Sequence, residues 1–220
     1  MKIINNLHFY PQNGIEDCNT YVIKGEISVI IDPGLPQYFP VLLKKLSEDG
    51  IDPSDIGIIA NTHLHGDHCW TDAAFRQLSG ARVTFHSLQK KYYPVTYIET
   101  TRFFGLEAED FQEDGCFEDS HLNTGNMGFE LIHSPGHSPD SICYYCLEDK
   151  VLICGDVIFD RNIGRVDLPG GNAGELTHSI EQLSKLGIEY LFPGHMDIVT
   201  GTERVKNNFE YMRKNILGWL

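Results

Sequence analysis

The chain of 220 residues has no apolar run approaching the ~20 residues that a membrane-spanning helix requires, and no tandem repeat or low-complexity tract. Positive charge is scarce: 17 Lys and Arg stand against 31 Asp and Glu, a formal balance of −14. A chain this acidic is repelled by phosphate backbones and by anionic membrane surfaces, which sets nucleic acid and membrane aside as partners. Cysteine is sparse too. Six residues (Cys18, Cys69, Cys116, Cys143, Cys146 and Cys154) are scattered through a chain long enough to bury a core without staples. That fits reduced thiols rather than a disulfide framework. Residues 1–14 carry one Lys and no apolar run of secretory-leader length, so the expected location is cytoplasmic.

Histidine is what the chain has in excess, with ten residues. The rest is ordinary: 41% apolar and 22% charged residues indicate a globular protein, and the length fits one domain over residues 1–220. Short runs rich in Val, Ile, Tyr and Phe, with turn residues close by, predict strands at 7–10, 20–23, 28–31, 56–59, 82–85, 129–133, 141–145, 151–153 and 190–192. Apolar residues at helical spacing predict helices over 40–47, 70–78, 175–186 and 202–217. Segment 90–119 combines aromatic residues with a dense acidic patch over 107–119. It reads as one or two surface helices with the aromatics turned inward and the acids toward water. Strands first, then strands mixed with helices, predict an α+β chain whose sheets are covered by helices.

The histidines concentrate in one place. His63, His65, Asp67 and His68 fall within six positions, directly after the strand 56–59. A spacing of two places His63 and His65 on one side of an extended backbone. Gly66 then lets the chain turn, so that Asp67 and His68 can face a neighbouring position. A lone histidine is usually a packing residue, but imidazole and carboxylate at this density suit one or two transition-type cations, chiefly zinc, iron or manganese. By contrast, Cys143 and Cys146 lie in a strand at a spacing that sends their side chains to opposite faces, which predicts packing rather than chemistry. Cys69 directly follows the His63–His68 stretch, and it and Cys18 would either touch a substrate or simply pack.

Further stretches carry a resemblance. Cys18-Asn-Thr-Tyr-Val-Ile23, Val29-Ile-Ile-Asp-Pro-Gly34, the His63–His68 stretch, Ser134-Pro-Gly-His-Ser138, Leu152-Ile-Cys-Gly-Asp156 and Phe192-Pro-Gly-His195 together resemble the metallo-β-lactamase superfamily over nearly the whole chain. Gly164-Arg-Val-Asp-Leu-Pro-Gly-Gly-Asn172 is similar to the small glyoxalase II-like hydrolases and, more loosely, to the persulfide dioxygenases. Asp140 stands where that family commonly has Gly.

The resemblance implies an αββα four-layer sandwich holding two divalent metal ions, zinc first, with iron or manganese as alternatives. His63, His65 and His137 would hold one ion, Asp67, His68 and His195 the other, and Asp156 would bridge them. It implies a hydrolase that cleaves a thioester, ester or lactone of a small-molecule substrate through a hydroxide shared by the two ions. Asp67 would be the catalytic carboxylate that orients the nucleophile or carries its proton. Asp32, at a strand end, would support a ligating histidine, or simply open the turn before Pro33 and Gly34. Arg165 and Asn172 would face an anionic substrate or hold their loop. Two other readings stand beside this one: a mononuclear iron persulfide dioxygenase using His63, His137 and Asp156, and a non-catalytic metal-binding module. The 25 residues after His195 have room for one helix but not for the helical glutathione-binding domain of full-length glyoxalase II enzymes. A glutathione thioester is therefore a candidate rather than a conclusion, and a smaller or different acyl substrate gains ground.

Overall fold

The computed structural model describes residues 2–4, 6–108, 112–117 and 120–219. Seven strands follow in chain order as one mixed sheet: β1 (Lys2–Ile4), β2 (Leu7–Tyr10), β3 (Thr20–Ile23), β4 (Ser28–Ile31), β5 (Ile56–Ala60), β6 (Arg82–Phe85) and β7 (Gly115–Cys116). The first four pair antiparallel, and β4 to β7 run parallel. The second sheet is built from β8 (His121–Asn123), β9 (Gly128–His133), β10 (Ile142–Cys146), β11 (Val151–Gly155), β14 (Tyr190–Pro193) and β15 (Val199–Thr200), ordered β15-β14-β11-β10-β9-β8. A small hairpin of β12 (Ile158–Phe159) and β13 (Asn162–Ile163) follows β11.

Period-two alternation sorts the strand residues into three apolar layers. Phe9, Tyr21, Ile23, Val29 and Ile31 of the first sheet meet Phe129, Leu131, Tyr144, Ile153 and Phe192 of the second. The opposite face of the first sheet, with Val22, Ile30, Ile59 and Val83, packs on Leu42 and Leu46 of helix α1 (Phe39–Glu48). Phe75 joins that layer from helix α3 (Asp72–Ser79), which follows the short α2 (Gly66–Cys69). The far face of the second sheet, with Cys143, Leu152 and Cys154, packs on Leu176, Ile180 and Leu183 of α6 (Ala173–Leu183) and on Val205, Phe209 and Met212 of α7 (Thr202–Asn215). This is the expected αββα sandwich. Cys143 and Cys146 fall in different layers, as their spacing predicts, and both are buried. No helix of the described residues is long and apolar enough to cross a membrane.

Three expectations are corrected. The helix expected over 70–78 starts at Asp72 as α3, and a separate short helix, α2, forms before it within the His-rich stretch. Segment 90–119 is one helical stretch only as far as Phe103, running through α4 (Ser87–Tyr93), a π-helical turn (Pro94–Glu99) and α5 (Thr100–Phe103). Its aromatics divide: Tyr97 enters the core, whereas Phe103 and Phe104 are exposed. Of the acidic patch, residues 109–111 and 118–119 lie outside the described residues. The described Glu113 and Asp114 are tethers rather than a solvated face. Glu113 pairs with Lys90, while Asp114 accepts from the Val83 N–H at 3.0 Å and lies 3.3 Å from Arg76.

Two sheet ends are tied together at one edge. Ile142 N–H donates to Thr62 O at 2.8 Å, Asn19 N–H to Gly194 O at 2.6 Å, Tyr144 Oη to Asn61 O at 2.8 Å and Tyr21 Oη to Pro193 O at 2.6 Å. Beneath this edge Asp72 is fully buried. Its Oδ1 accepts from Asn61 Nδ2 at 3.3 Å and its Oδ2 has no hydrogen-bond partner. Burial pushes its carboxyl well above the usual range. A carboxyl raised on folding stabilises the native state below its unfolded pKa, and that contribution is lost as pH rises toward the folded value. Asp72→Asn should therefore raise the melting temperature at pH 7 by about 2–4 °C, for ~1 kcal/mol in a chain this size, with the gap closing near pH 4. Calorimetry at the two pH values checks it.

Candidate metal centre

The tied edge collects the carboxyl ends of β4, β5, β11 and β14 and the loop between β9 and β10, and each supplies part of one cluster. The position fits the general tendency of sites in sheets with parallel strands to form beyond the strands' carboxyl ends. β4 delivers Asp32, which is wholly buried, with φ of 55°. The chain leaving β5 delivers His63 from a bend and His65 from extended backbone, and α2 turns Asp67 and His68 back toward them. The β9–β10 loop adds His137, β11 adds Asp156 and β14 adds His195.

Three imidazole nitrogens converge on one point. His63 Nε2 lies 3.1 Å from His65 Nδ1 and 3.2 Å from His137 Nε2, and the last two are 2.9 Å apart. The outward nitrogens fix the tautomers of His137 and His63. His137 Nδ1–H donates to Arg165 O at 2.8 Å, leaving its Nε2 as a lone pair. Thr62 Oγ1 donates to Asp32 Oδ2 at 2.7 Å, so the hydroxyl oxygen accepts from His63 Nδ1–H at 3.2 Å, and His63 Nε2 also faces inward without a proton. Burial, and then the neighbouring imidazoles, lower the His63 pKa; burial and His137 lower His65 to about 3. Burial likewise lowers His137. The trio is neutral at pH 7, and the facing lone pairs of His63 and His137 repel.

A second group adjoins it. His195 Nε2 is 3.2 Å from Asp67 Oδ2 and 3.3 Å from Asp156 Oδ2, and His68 Nε2 is 3.4 Å from Asp156 Oδ1. Asp156 Oδ2 also lies 3.6 Å from His137 Nε2, so this carboxylate stands between the two groups. Here charge is balanced by protons. Burial opposes it, but Asp156 and Asp67 raise His195 to about 10, and Asp67, Asp156 and Asp32 raise His68 well above its ordinary value. Behind the cluster, Asp32 accepts from Thr62 N–H at 2.7 Å and from His68 Nδ1–H at 3.0 Å, fixing the His68 ring with Nε2 inward. Asp32 thus both opens the turn and supports a histidine.

The donor set fits cations. His63, His65 and His137 form one group whose donor atoms lie within 4.8 Å of one another; His63, His68 and Asp156 form another, and Asp67, His68 and His195 a third. His68 Nε2 and Asp156 Oδ1 are buried without hydrogen-bond partners, which is costly unless a cation joins them. Gly194 keeps this space open, because a Cβ there would run into Asp156 Oδ1 and come within 2.8 Å of His68 Cε1.

A metallo-β-lactamase superfamily model matches residues 13–195. The chain belongs to that superfamily. A probable metallo-hydrolase of Methanocaldococcus jannaschii is 31% identical over 185 residues, covering 82% of this chain and 88% of the relative. The hydroxyacylglutathione hydrolase GloC of Haemophilus influenzae is 31% identical over 211 residues, covering 93% and 97%. The crystal structure of the B3 metallo-β-lactamase BLEG-1 superposes with a TM-score of 0.75 at 27% identity, covering 96% of this chain and 98% of that one.

Within this metallo-β-lactamase fold, every residue expected at the cluster is brought there, and the structure chooses between the alternatives left open for its neighbours. Cys18 and Cys69 are buried; Cys69 packs under α1 and α3, and Cys18 Sγ contacts Asp32 O at 3.5 Å. Asn172 does not face the site: it caps α6, accepting from Glu175 N–H at 3.0 Å. Arg165 holds its loop, with its guanidinium paired to Asp167 and its carbonyl on His137. Asp140 is the residue whose role sequence reasoning missed. Wholly buried, it accepts from Ser138 Oγ and from Leu64 N–H at 3.1 Å, joining the His137 loop to the backbone between His63 and His65. Removing Asp32 would leave His68 with its charge uncompensated on that side. Asp32→Ala should cost about 3–5 kcal/mol of stability in urea unfolding of the metal-free protein at pH 7.

Proposed function

We propose that the chain is a metal-dependent hydrolase of a small acyl substrate, a thioester, ester or lactone, working with two divalent cations, zinc first. In this reading His63, His65 and His137 hold one ion, Asp67, His68 and His195 the other, and Asp156 reaches both. The observation that carries it is the convergence of inward-facing imidazole lone pairs and a buried carboxylate oxygen that no protein donor satisfies. A pair of such ions supplies a nucleophile at neutral pH by lowering the pKa of water to about 7, and polarises a carbonyl oxygen. Residues 1–220 are read as one domain of this type.

The protein's own groups do the rest. Asp67 reaches the floor of the cleft above the cluster, with its side chain 33% exposed and Oδ2 3.2 Å from His195. In the metal-free cluster His68 and His195 outweigh burial and hold Asp67 ionised; a cation taking the place of their protons would keep the carboxylate ionised, and Asp67 would then orient the attacking water and take its proton. The water oxygen then bonds to the carbonyl carbon, the bond to sulfur or oxygen breaks, and the proton passes to the departing thiolate or alkoxide. The backbone carbonyl of Arg165 and the Asp32–Thr62 pair hold His137, His63 and His68 in the required tautomers throughout. The similarity to GloC supports the thioester among the three bond types.

Protein purified without added metal should carry about two ions per chain and hydrolyse members of an ester, thioester and lactone panel under anaerobic conditions. His63→Ala and Asp156→Ala should each lower turnover on the order of a thousandfold, or ~4 kcal/mol. Turnover surviving either change contradicts the reading. So does one iron per chain with consumption of dioxygen on a persulfide, or two bound ions with no hydrolysis of any substrate. Zinc binding to the metal-free protein at pH 7 should also release protons, because His195 and His68 must give theirs up while the other three histidines are already neutral. Calorimetry in buffers of differing ionisation enthalpy reads that release.

A further inference from the structure

We propose that the cleft over this cluster selects substrates that are uncharged and apolar beyond the reacting carbonyl, a medium-length acyl chain on an uncharged leaving group. The proposal rests on the hydrolase reading and narrows its substrate class. The cleft has a volume of about 880 Å³, within the range of small-molecule sites. His65, Asp67, His137, Asp156 and His195 form its floor.

Its walls are mainly apolar, with Gln12, Gln37, Thr100 and Thr101 among the apolar residues, and come from separate parts of the chain. Trp70, Phe104, Leu106, Phe159, Leu168 and Met196 all line it. The Trp70 indole lies flat against Gly66, so closely that no Cβ would fit between them, which fixes the ring beside His65 and Asp67. At the rim, Phe104 is 55% exposed, Leu106 48% and Met196 47%, and Ile15 is 95% exposed on the same cleft. One exposed apolar side chain needs no explanation, but four from three separate segments converging on one opening mark a binding surface.

Charge in the cleft points the same way. Away from the metal-binding floor, the charged lining residues among those described are Glu16 and Arg165. That guanidinium is engaged by Asp167 through two hydrogen bonds of 2.7 Å. A substrate carboxylate remote from the reacting bond would leave water for apolar or acidic surroundings, an uncompensated cost. A glutathionyl group carries two such carboxylates, whereas an alkyl chain gains from Trp70, Phe104 and Leu106.

The zinc-loaded protein should be assayed on S-acyl-N-acetylcysteamine thioesters from acetyl to octanoyl and on S-lactoylglutathione. Expected is a rise in kcat/KM of about fourfold per added methylene, the factor equal to ~0.8 kcal/mol per buried CH₂, with octanoyl well above lactoylglutathione. Phe104→Asp should lower the octanoyl-to-acetyl ratio, and Asp167→Asn, by freeing Arg165, should raise turnover of lactoylglutathione. A kcat/KM flat in chain length, or highest for lactoylglutathione, overturns the proposal and leaves the hydrolase reading standing. If no thioester is turned over, the ester and lactone members of the panel decide the hydrolase reading, and binding decides the selectivity: 2-decanone against a keto acid of similar length, followed by tryptophan fluorescence. At least tenfold tighter binding of the ketone supports the apolar cleft, and equal or tighter binding of the keto acid overturns it.

Discussion

Three histidine ring nitrogens held within 3.2 Å of one another are the constraint on which this end of the molecule depends. Those of His63 and His137 are lone pairs facing each other, and left alone they repel. The protein nevertheless holds them there, through Arg165 O on His137, Thr62 Oγ1 on His63 and Asp32 on the neighbouring His68. Preorganisation of this kind is a cost that a bound cation can offset, because lone pairs that repel one another point at the same place. The adjoining group carries the complementary imbalance, with Asp67, Asp156 and Asp32 keeping His68 and His195 protonated until something else supplies positive charge.

The sandwich serves that arrangement by locking two sheets at one edge. Hydrogen bonds cross between the sheets where the functional loops begin, so the groups from β5 and those from the second sheet cannot drift apart independently. Asp140 adds a tie at the level of the loops themselves. Small residues matter as much as charged ones here, since Gly194 leaves the space into which Asp156 and His68 point and Gly66 lets Trp70 lie beside the floor of the cleft. Stability, site geometry and cleft shape are therefore set by the same few positions.

Much of this was legible in the sequence because it is local. The nine expected strands all form, since alternating apolar runs between turn residues carry their own signal. The clustered His63, His65, Asp67 and His68 stand out for the same reason. Strands of two residues, such as Gly115–Cys116, Ile158–Phe159 and Val199–Thr200, are too short to show a period. The helical stretch around Pro94 passes through a π turn where a proline normally argues for an end. Asp140 could not be assigned, because its partner Leu64 lies 76 residues away. The outward turn of Phe104 and Leu106 is likewise a property of the cleft, formed only when three distant segments meet.

The central claim is that two cations share this cluster, and anomalous diffraction from crystals of the zinc-loaded protein tests it most directly. The account predicts two zinc peaks ~3.5–4 Å apart. One should lie among His63, His65 and His137, the other among Asp67, His68 and His195, with Asp156 between them. A single peak at full zinc occupancy, or zinc bound away from these residues, would contradict it.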